Sequence, residues 1–187
     1  MAVNPWHPWH TVSVGKKGPG VVNAIIEIPR GSKNKYEIDK ESGLLVMDRV
    51  MSSAVFYPAN YGFIPQTYCD DGDALDIFVL GQEPAVPMCI MSAKVIGGLK
   101  MIDGGEGDDK ILAVHADDPQ WKHIETLEQL NTAFPHVVRE IEQFFRTYKL
   151  LEKKSVDVKE WVGKAEAEKI ILASIELYNS SKEKLTK

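Results

Sequence analysis

The segment Asp70–Leu80, DDGDALDIFVL, sets four carboxylates within seven residues and then runs straight into an apolar, strand-like stretch. Carboxylates crowded this closely repel one another, and their neutral forms become favoured unless a cation sits among them or each splays into water. An EF-hand loop needs oxygen donors at its first, third and fifth positions and glycine at its sixth. Counted from Asp71, the fifth and sixth positions are Leu75 and Asp76; counted from Asp70, the third is Gly72. Neither frame fits. A set of hard oxygen donors suits Mg²⁺ or Mn²⁺ better than zinc.

A second acidic cluster lies in DGGEGDDK, where Asp103, Glu106, Asp108 and Asp109 flank Gly104, Gly105 and Gly107. Glycine permits tight turns, so such a loop can aim several carboxylates at one point. Either cluster alone is the ordinary pattern of a solvated turn. Two clusters, each abutting an apolar strand, point to loops that converge at strand ends and hold more than one metal ion. Other residues fit an anion beside those ions. Lys35 and Glu37 share one face of a strand, which on its own is a surface pair of little energetic weight. Arg49 shares a face with Leu45 and Met47, and an inward-facing arginine needs a carboxylate or a phosphate as partner. Tyr57 and Tyr61 lie in an aromatic stretch, Tyr148 lies on a helical apolar stripe with its hydroxyl in reach of a cavity, and Lys149 follows it.

The elements that must position these groups read as strands first and helices last. Residues 1–20 carry Pro5, Pro8, Gly15, Gly18, Pro19 and Gly20 and read as an irregular N-terminal segment. VVNAIIEIP, KYEID and LLVMDRV read as a meander of short antiparallel strands, with Asp48 on the face opposite Arg49. AVFYPANYGFIPQTY, residues 54–68, is broken by Pro58, Gly62 and Pro65 and reads as a packed loop. DIFVL, PMCIMSAKVIGGLKMID and ILAVHA supply further strands. HIETLEQLN gives a short helix; PHVVREIEQFFRTYKLL places Val137, Ile141, Phe144, Tyr148 and Leu151 at helical spacing; EAEKIILASIELYN gives a last helix. The order is that of an α+β domain spanning residues 1–187. The expected architecture is a small closed five-stranded antiparallel barrel of the oligonucleotide-binding (OB-like) type, with extra strands and two main helices packed outside.

Composition narrows the function. The chain has 187 residues, 44% of them hydrophobic and 26% charged, as in ordinary globular proteins. A net charge of −5 speaks against a nucleic-acid backbone or an anionic membrane as partner, although bound metal can reverse the field locally for a small anion. Cys69 and Cys89 are too few for a disulfide framework and read as reduced thiols. Neither a signal-peptide pattern nor a membrane-length apolar run is present, so a cytoplasmic protein is expected. GKKGPG lacks the ending of a phosphate-binding P-loop. His7 and His10 in HPWH read as packing or disordered residues rather than metal ligands, and His115, His123 and His136 show no ligand spacing.

Taken together, EIPRGSKNKYEID, DRVMSSAVFYPANYGFIP, DDGDALDIFVL, KMIDGGEGDDKILAV and FFRTYKLLE resemble the soluble inorganic pyrophosphatases of family I, over roughly residues 21–178. The specific part is D-x-D-x-x-D at Asp71–Asp76 followed by D-x-G-E-x-D-x-K at Asp103–Lys110. The resemblance implies Mg²⁺-dependent hydrolysis of pyrophosphate to two orthophosphates in a barrel cavity. It implies Asp71, Asp76, Asp103 and Asp108 as metal ligands and Asp73 as the carboxylate that takes a proton from the attacking water. It implies Lys35, Arg49, Tyr61, Tyr148 and Lys149 as phosphate-holding groups, with Glu27, Glu37, Tyr57 and Lys110 as further site positions. A homo-oligomer, with a hexamer as the suggested assembly, is implied in the same way. Two departures stand out: Ala74 where the family usually has proline, and Gly104 where it commonly has glutamate or glutamine. Two rival readings of the same residues are a phosphohydrolase acting on nucleotides or phosphoesters, and an oligonucleotide-binding module, which the charge disfavours.

Overall fold

The protein is described by a computed structural model for residues 6–186; the expectation of irregular structure at residues 1–5, Pro5 included, lies outside them. Five strands close into a ring: β1 (Val21–Ile28), β4 (Asn60–Phe63), β5 (Asp76–Leu80), β8 (Lys110–His115) and β6 (Ile90–Asp103), with β6 returning to pair β1. Four of the seams are antiparallel. The β5–β8 seam is parallel, in register from Asp76↔Lys110 to Leu80↔Val114, so the barrel is closed as expected but not uniformly antiparallel. Outside the ring, β9 (Val156–Gly163) pairs with β6, and the short β7 (Glu106–Gly107) folds back on the end of β6.

The meander differs from expectation. β2 (Asn34–Ile38) and β3 (Leu45–Val50) form their own two-stranded sheet, while β1 ladders with β4 and β6. Within that hairpin, Lys35 pairs with Arg49 and Tyr36 with Met47, so Asp48 is the extra residue of a bulge. The bulge breaks strict alternation and lets Asp48 meet Lys35 and Arg49 rather than face away from them.

The stretch 54–68 is not wholly a loop, because it contains β4. Gly62, which reads as a break, is instead a point of close approach: a Cβ there would lie 1.8 Å from the Ile25 carbonyl oxygen on β1. β6 is one continuous strand with bulges between Val95 and Gly97 and between Leu99 and Met101, which let it turn from the barrel seam onto β9. Gly97 is needed at the first bulge, since a Cβ there would sit 2.7 Å from the Val162 carbonyl oxygen.

Successive residues of β5 and β8 are buried on both faces, which explains why DIFVL and ILAV are continuous apolar runs. Phe78, Leu80, Leu112 and Val114 pack with Ile141, Phe144 and Phe145 of α3 (Pro135–Thr147). Ile77, Val79, Ile111 and Ala113 pack with Ala167 and Ile171 of α4 (Lys164–Leu185). Helix α3 starts at the expected proline but ends at Thr147; a single-turn 3₁₀ helix follows at Leu150–Glu152, and Leu151 is exposed rather than on the buried stripe. Helix α2 (Leu127–Ala133) begins later than HIETLEQLN suggests, because Thr126 is its N-cap and accepts from the Gln129 amide. The N-terminal segment is less irregular than expected: α1 (Pro8–Thr11) is one helical turn. Among the described residues no helix is long and apolar enough to cross a membrane.

The β1–β4 approach gives a stability prediction. Gly62→Ala forces a methyl group into the neighbouring backbone, so urea unfolding should show a loss of about 3 kcal/mol or more; a loss within about 0.5 kcal/mol would mean that the seam yields freely.

Candidate active site

The cavity opens where the C-terminal end of β6, the acidic loop before β5 and the β2–β3 hairpin meet; its volume is about 670 Å³. Nine carboxylate-bearing residues line it: Glu27, Glu37, Asp39, Asp71, Asp73, Asp76, Asp103, Glu106 and Asp108. Among the described residues, four cations do so, namely Lys35, Lys40, Lys110 and Lys149. The two acidic clusters of the sequence therefore converge on one space. Asp70 and Asp109 do not join them; with Cys69 they line a smaller cavity beside α4.

The acidic loop is shaped by its own backbone. Gly72 takes φ +86°, the Asp71 carboxylate accepts from the Asp73 amide at 3.0 Å, and the Cys69 amide donates to the Asp73 carbonyl at 2.8 Å. This turn aims Asp71 and Asp73 into the cavity while Asp76 begins β5. The parallel seam sets Lys110, the first residue of β8, directly beside Asp76. The Lys110 ammonium lies between Asp76 and Asp108 and contacts both. Burial alone would lower its pKa, but the two carboxylates more than offset that and raise it.

Across the cavity, Asp103 ends β6, contacts the Lys149 ammonium and accepts from the Tyr148 hydroxyl at 3.3 Å. Tyr148 is the C-cap that follows the last residue of α3, so the termination of that helix delivers both Tyr148 and Lys149 to Asp103.

The carboxylates bear the cost of this crowding. Burial, reinforced by Asp108, Asp73 and Asp76, pushes the Asp71 pKa up to about 6 despite the bond from the Asp73 amide. Burial, and then Asp76, push Glu27 up to about 8, although its carboxylate accepts from the Ile38 amide at 2.7 Å. Asp108 is raised as well, by burial first and then by Asp76, against the pull of Lys110. Tyr57 and Tyr61 have raised hydroxyl pKa values, through burial and then Asp76, and stay protonated donors. Their rings pack, mostly tilted or edge-on, with Phe78 and Phe144, which backs the cavity with an apolar wall.

The hairpin contributes the remaining charges. The Lys35 ammonium donates to Glu37 at 2.6 Å and pairs with Asp48 at 3.1 Å. Arg49 is the sequence-predicted residue that does not line the cavity. Its Nε donates to Glu152 at 3.1 Å and it shares Asp48 with Lys35, so it stands one ion pair behind the wall. Lys40, in the turn of the hairpin, pairs with Asp73 at 2.5 Å and donates to the Gly72 carbonyl at 3.1 Å.

Sequence reasoning did not single out Lys40, Asp48 or Glu152. Lys40 looks like one charge of a solvated turn, Asp48 is hidden by the bulge, and Glu152 follows the unforeseen helix end. Glu106 lines the cavity from the glycine-rich loop, and Gly104 beside it takes φ +59°, a conformation that favours glycine at that departure.

The donor chemistry fits a hard divalent cation, since the cavity offers carboxylate oxygens and, among the described residues, neither histidine nor cysteine lines it. Among the described residues, no three acidic, histidine or cysteine side chains meet at a single coordination point. Instead, lysine ammonium groups hold Asp76, Asp108 and Asp103, which shows where positive charge is favoured.

Comparison with known proteins gives one answer. A family model described as inorganic pyrophosphatase matches residues 24–179. The chain is 51% identical over 172 residues to soluble inorganic pyrophosphatase 2 of Chlamydomonas reinhardtii, covering 92% of this chain and 88% of that one. It is 49% identical to a soluble inorganic pyrophosphatase of Oryza sativa over 93% of this chain and 80% of the relative. The crystal structure of inorganic pyrophosphatase from Thermus thermophilus superposes with a TM-score of 0.86 at 40% identity, covering 91% of this chain and 98% of that one. The chain belongs to the inorganic pyrophosphatase family.

Proposed function

We propose that this protein hydrolyses inorganic pyrophosphate to two orthophosphates with a divalent cation, Mg²⁺ or Mn²⁺. The observation that carries the reading is the cavity in which nine carboxylate-bearing residues face four lysines, in a chain of this family. A multiply charged anion would be repelled by that wall alone. Asp71, Asp76, Asp103 and Asp108 would hold the cations, which supply charge neutralisation and Lewis acidity when bound.

The residues themselves then divide the work. Asp73 has a half-exposed carboxylate beside Lys40 rather than among the buried ones, and it is the group proposed to take the proton of the attacking water onto a carboxylate oxygen. Lys35, Lys149, Tyr61 and Tyr148 line the cavity as donors and hold the phosphate oxygens. Arg49 reaches the departing phosphate only by exchanging Asp48 or Glu152 for it, a trade between anions that leaves no arginine unpaired. Glu27, Glu37, Tyr57 and Lys110 support these groups. The Tyr57 ring fills the apolar wall, and Lys110 keeps Asp76 and Asp108 together. Positioning and electrostatics of this kind are what phosphoryl transfer demands.

Phosphate release from pyrophosphate, with ATP and a phosphomonoester in parallel, tests the reading: pyrophosphate should be turned over with Mg²⁺ and not after chelation, and turnover of ATP alone would overturn it. Asp73→Asn should lower kcat by roughly 10²–10⁴, the usual scale for a general base, and leave metal affinity close to wild type; unaltered kcat would remove Asp73 from the mechanism. Lys110→Met leaves two carboxylates without their shared partner, so in chelator its unfolding free energy should fall by about 3–5 kcal/mol. A fall below about 1 kcal/mol would show that solvation or proton uptake, not Lys110, offsets their charge.

A further inference from the structure

The HPWH motif takes no part in the chemistry above, and α1, which carries it, precedes residue 24, where the family match begins. His7 is fully buried. Its Nδ1 accepts from the Trp9 amide at 3.3 Å, so Nε2 carries the proton and donates to the Asp39 carbonyl at 3.0 Å. Asp39 opens the turn between β2 and β3, and the same carbonyl accepts from the Gly43 amide at 2.8 Å. Gly43 takes φ +72°, and a Cβ there would lie 3.0 Å from Pro8 and 3.2 Å from the His7 ring, so the turn rests directly on α1.

The other side of the motif grips the opposite wall of the cavity. The Trp9 indole donates to the Thr67 carbonyl at 2.8 Å. The Thr67 hydroxyl in turn accepts from the Leu75 amide at 2.9 Å, at the base of the acidic loop. His10 shares a hydrogen bond of 2.9 Å with the Tyr178 hydroxyl on α4, which anchors the whole segment. Trp9, Asp39 and Lys40 all line the cavity. The hairpin has no ladder to the barrel sheet. Its place over the cavity is set by the packing of Tyr36 and Ile38 and by side-chain bonds: Glu27 to Ile38, His7 to Asp39, Lys40 to Asp73 and Arg49 to Glu152.

We propose that the segment His7–Thr11 is a positioning strap that holds the β2–β3 turn at a fixed distance from the acidic loop, with His7 as the positioning residue and Lys40 as the group it places. Sealing the apolar cluster of Trp9, Ile25, Phe63 and Tyr178 would require Trp9 alone. It would not require a buried imidazole with both nitrogens engaged, one of them on the turn. The strap acts on substrate binding through the hairpin, so it moves KM more than kcat.

The test pairs native-state amide hydrogen exchange with steady-state kinetics for His7→Phe and His7→Gln. In His7→Phe the Ser42 and Gly43 amides should exchange about tenfold or more faster than in wild type, with β5 and β8 unaltered. KM for pyrophosphate should rise on the order of tenfold while kcat falls less. His7→Gln, whose amide can still donate to the Asp39 carbonyl, should recover most of both. Wild-type turn exchange in folded His7→Phe, or acceleration spread evenly over the barrel, overturns the strap. Should His7→Phe fail to fold, Trp9→Phe decides: it keeps a ring in the apolar cluster and removes the bond to the Thr67 carbonyl, so faster exchange of the turn amides supports the strap and wild-type turn exchange overturns it. The kinetic arm rests on the cavity being a pyrophosphate site; the exchange arm does not, so an inactive wild type would sink that reading while the strap is still judged.

Discussion

Like-charge repulsion among buried carboxylates is the constraint around which this molecule is organised. Asp71, Asp76 and Asp108 are brought together by the barrel, and burial raises the pKa of Asp71 and Asp108 towards their neutral forms. Such an arrangement is stable only if positive charge enters it. Lys110 is the protein's own answer, placed there by the parallel β5–β8 seam, which starts both strands at the same level. That one parallel pairing in an otherwise antiparallel ring thus has a direct chemical consequence: it fixes an ammonium against the residue that opens β5.

The rest of the fold supplies edges to the same space. The bulges of β6 turn its end towards the cavity so that Asp103 faces Asp108 and the end of α3. Helix α3 stops at Thr147, which presents Tyr148 and Lys149 to Asp103. The hairpin adds Lys35 and, behind it, Asp48, Arg49 and Glu152 as a relay of alternating charge. Because the hairpin is a separate two-stranded sheet, it depends for its position on contacts with Glu27, Glu152, α1 and the acidic loop. The barrel gives rigidity to the carboxylates, while the hairpin holds its cations on softer attachments.

Much of this was legible in the residues. The two acidic clusters flanked apolar strands, and they do converge; the apolar runs of β5 and β8 announced strands buried on both faces. What stayed hidden has physical causes. Gly62 and Pro65 looked like breaks, yet Gly62 is a glycine because β1 passes too close for a side chain, so a barrel strand read as a loop. Asp48 fell on the wrong face because a bulge changes the period at one residue. The sequence carries only a weak signal for β9, because its charged residues, Asp157, Lys159 and Glu160, face water on an outer strand and dilute its apolar pattern. HPWH reads as packing or disorder, and sequence spacing carries no trace of the Asp39 carbonyl that His7 meets across more than thirty positions.

The central claim is that these aspartates are held in one cavity by shared positive charge. Thermal unfolding of chelator-treated protein during titration with Mg²⁺ tests it most directly, since a ligand that binds only the folded state raises the midpoint in proportion to ln(1 + [L]/Kd). A progressive rise through the millimolar range, largely lost in Asp108→Asn, is the predicted result. A midpoint indifferent to Mg²⁺, or an equal rise in Asp108→Asn, would contradict it.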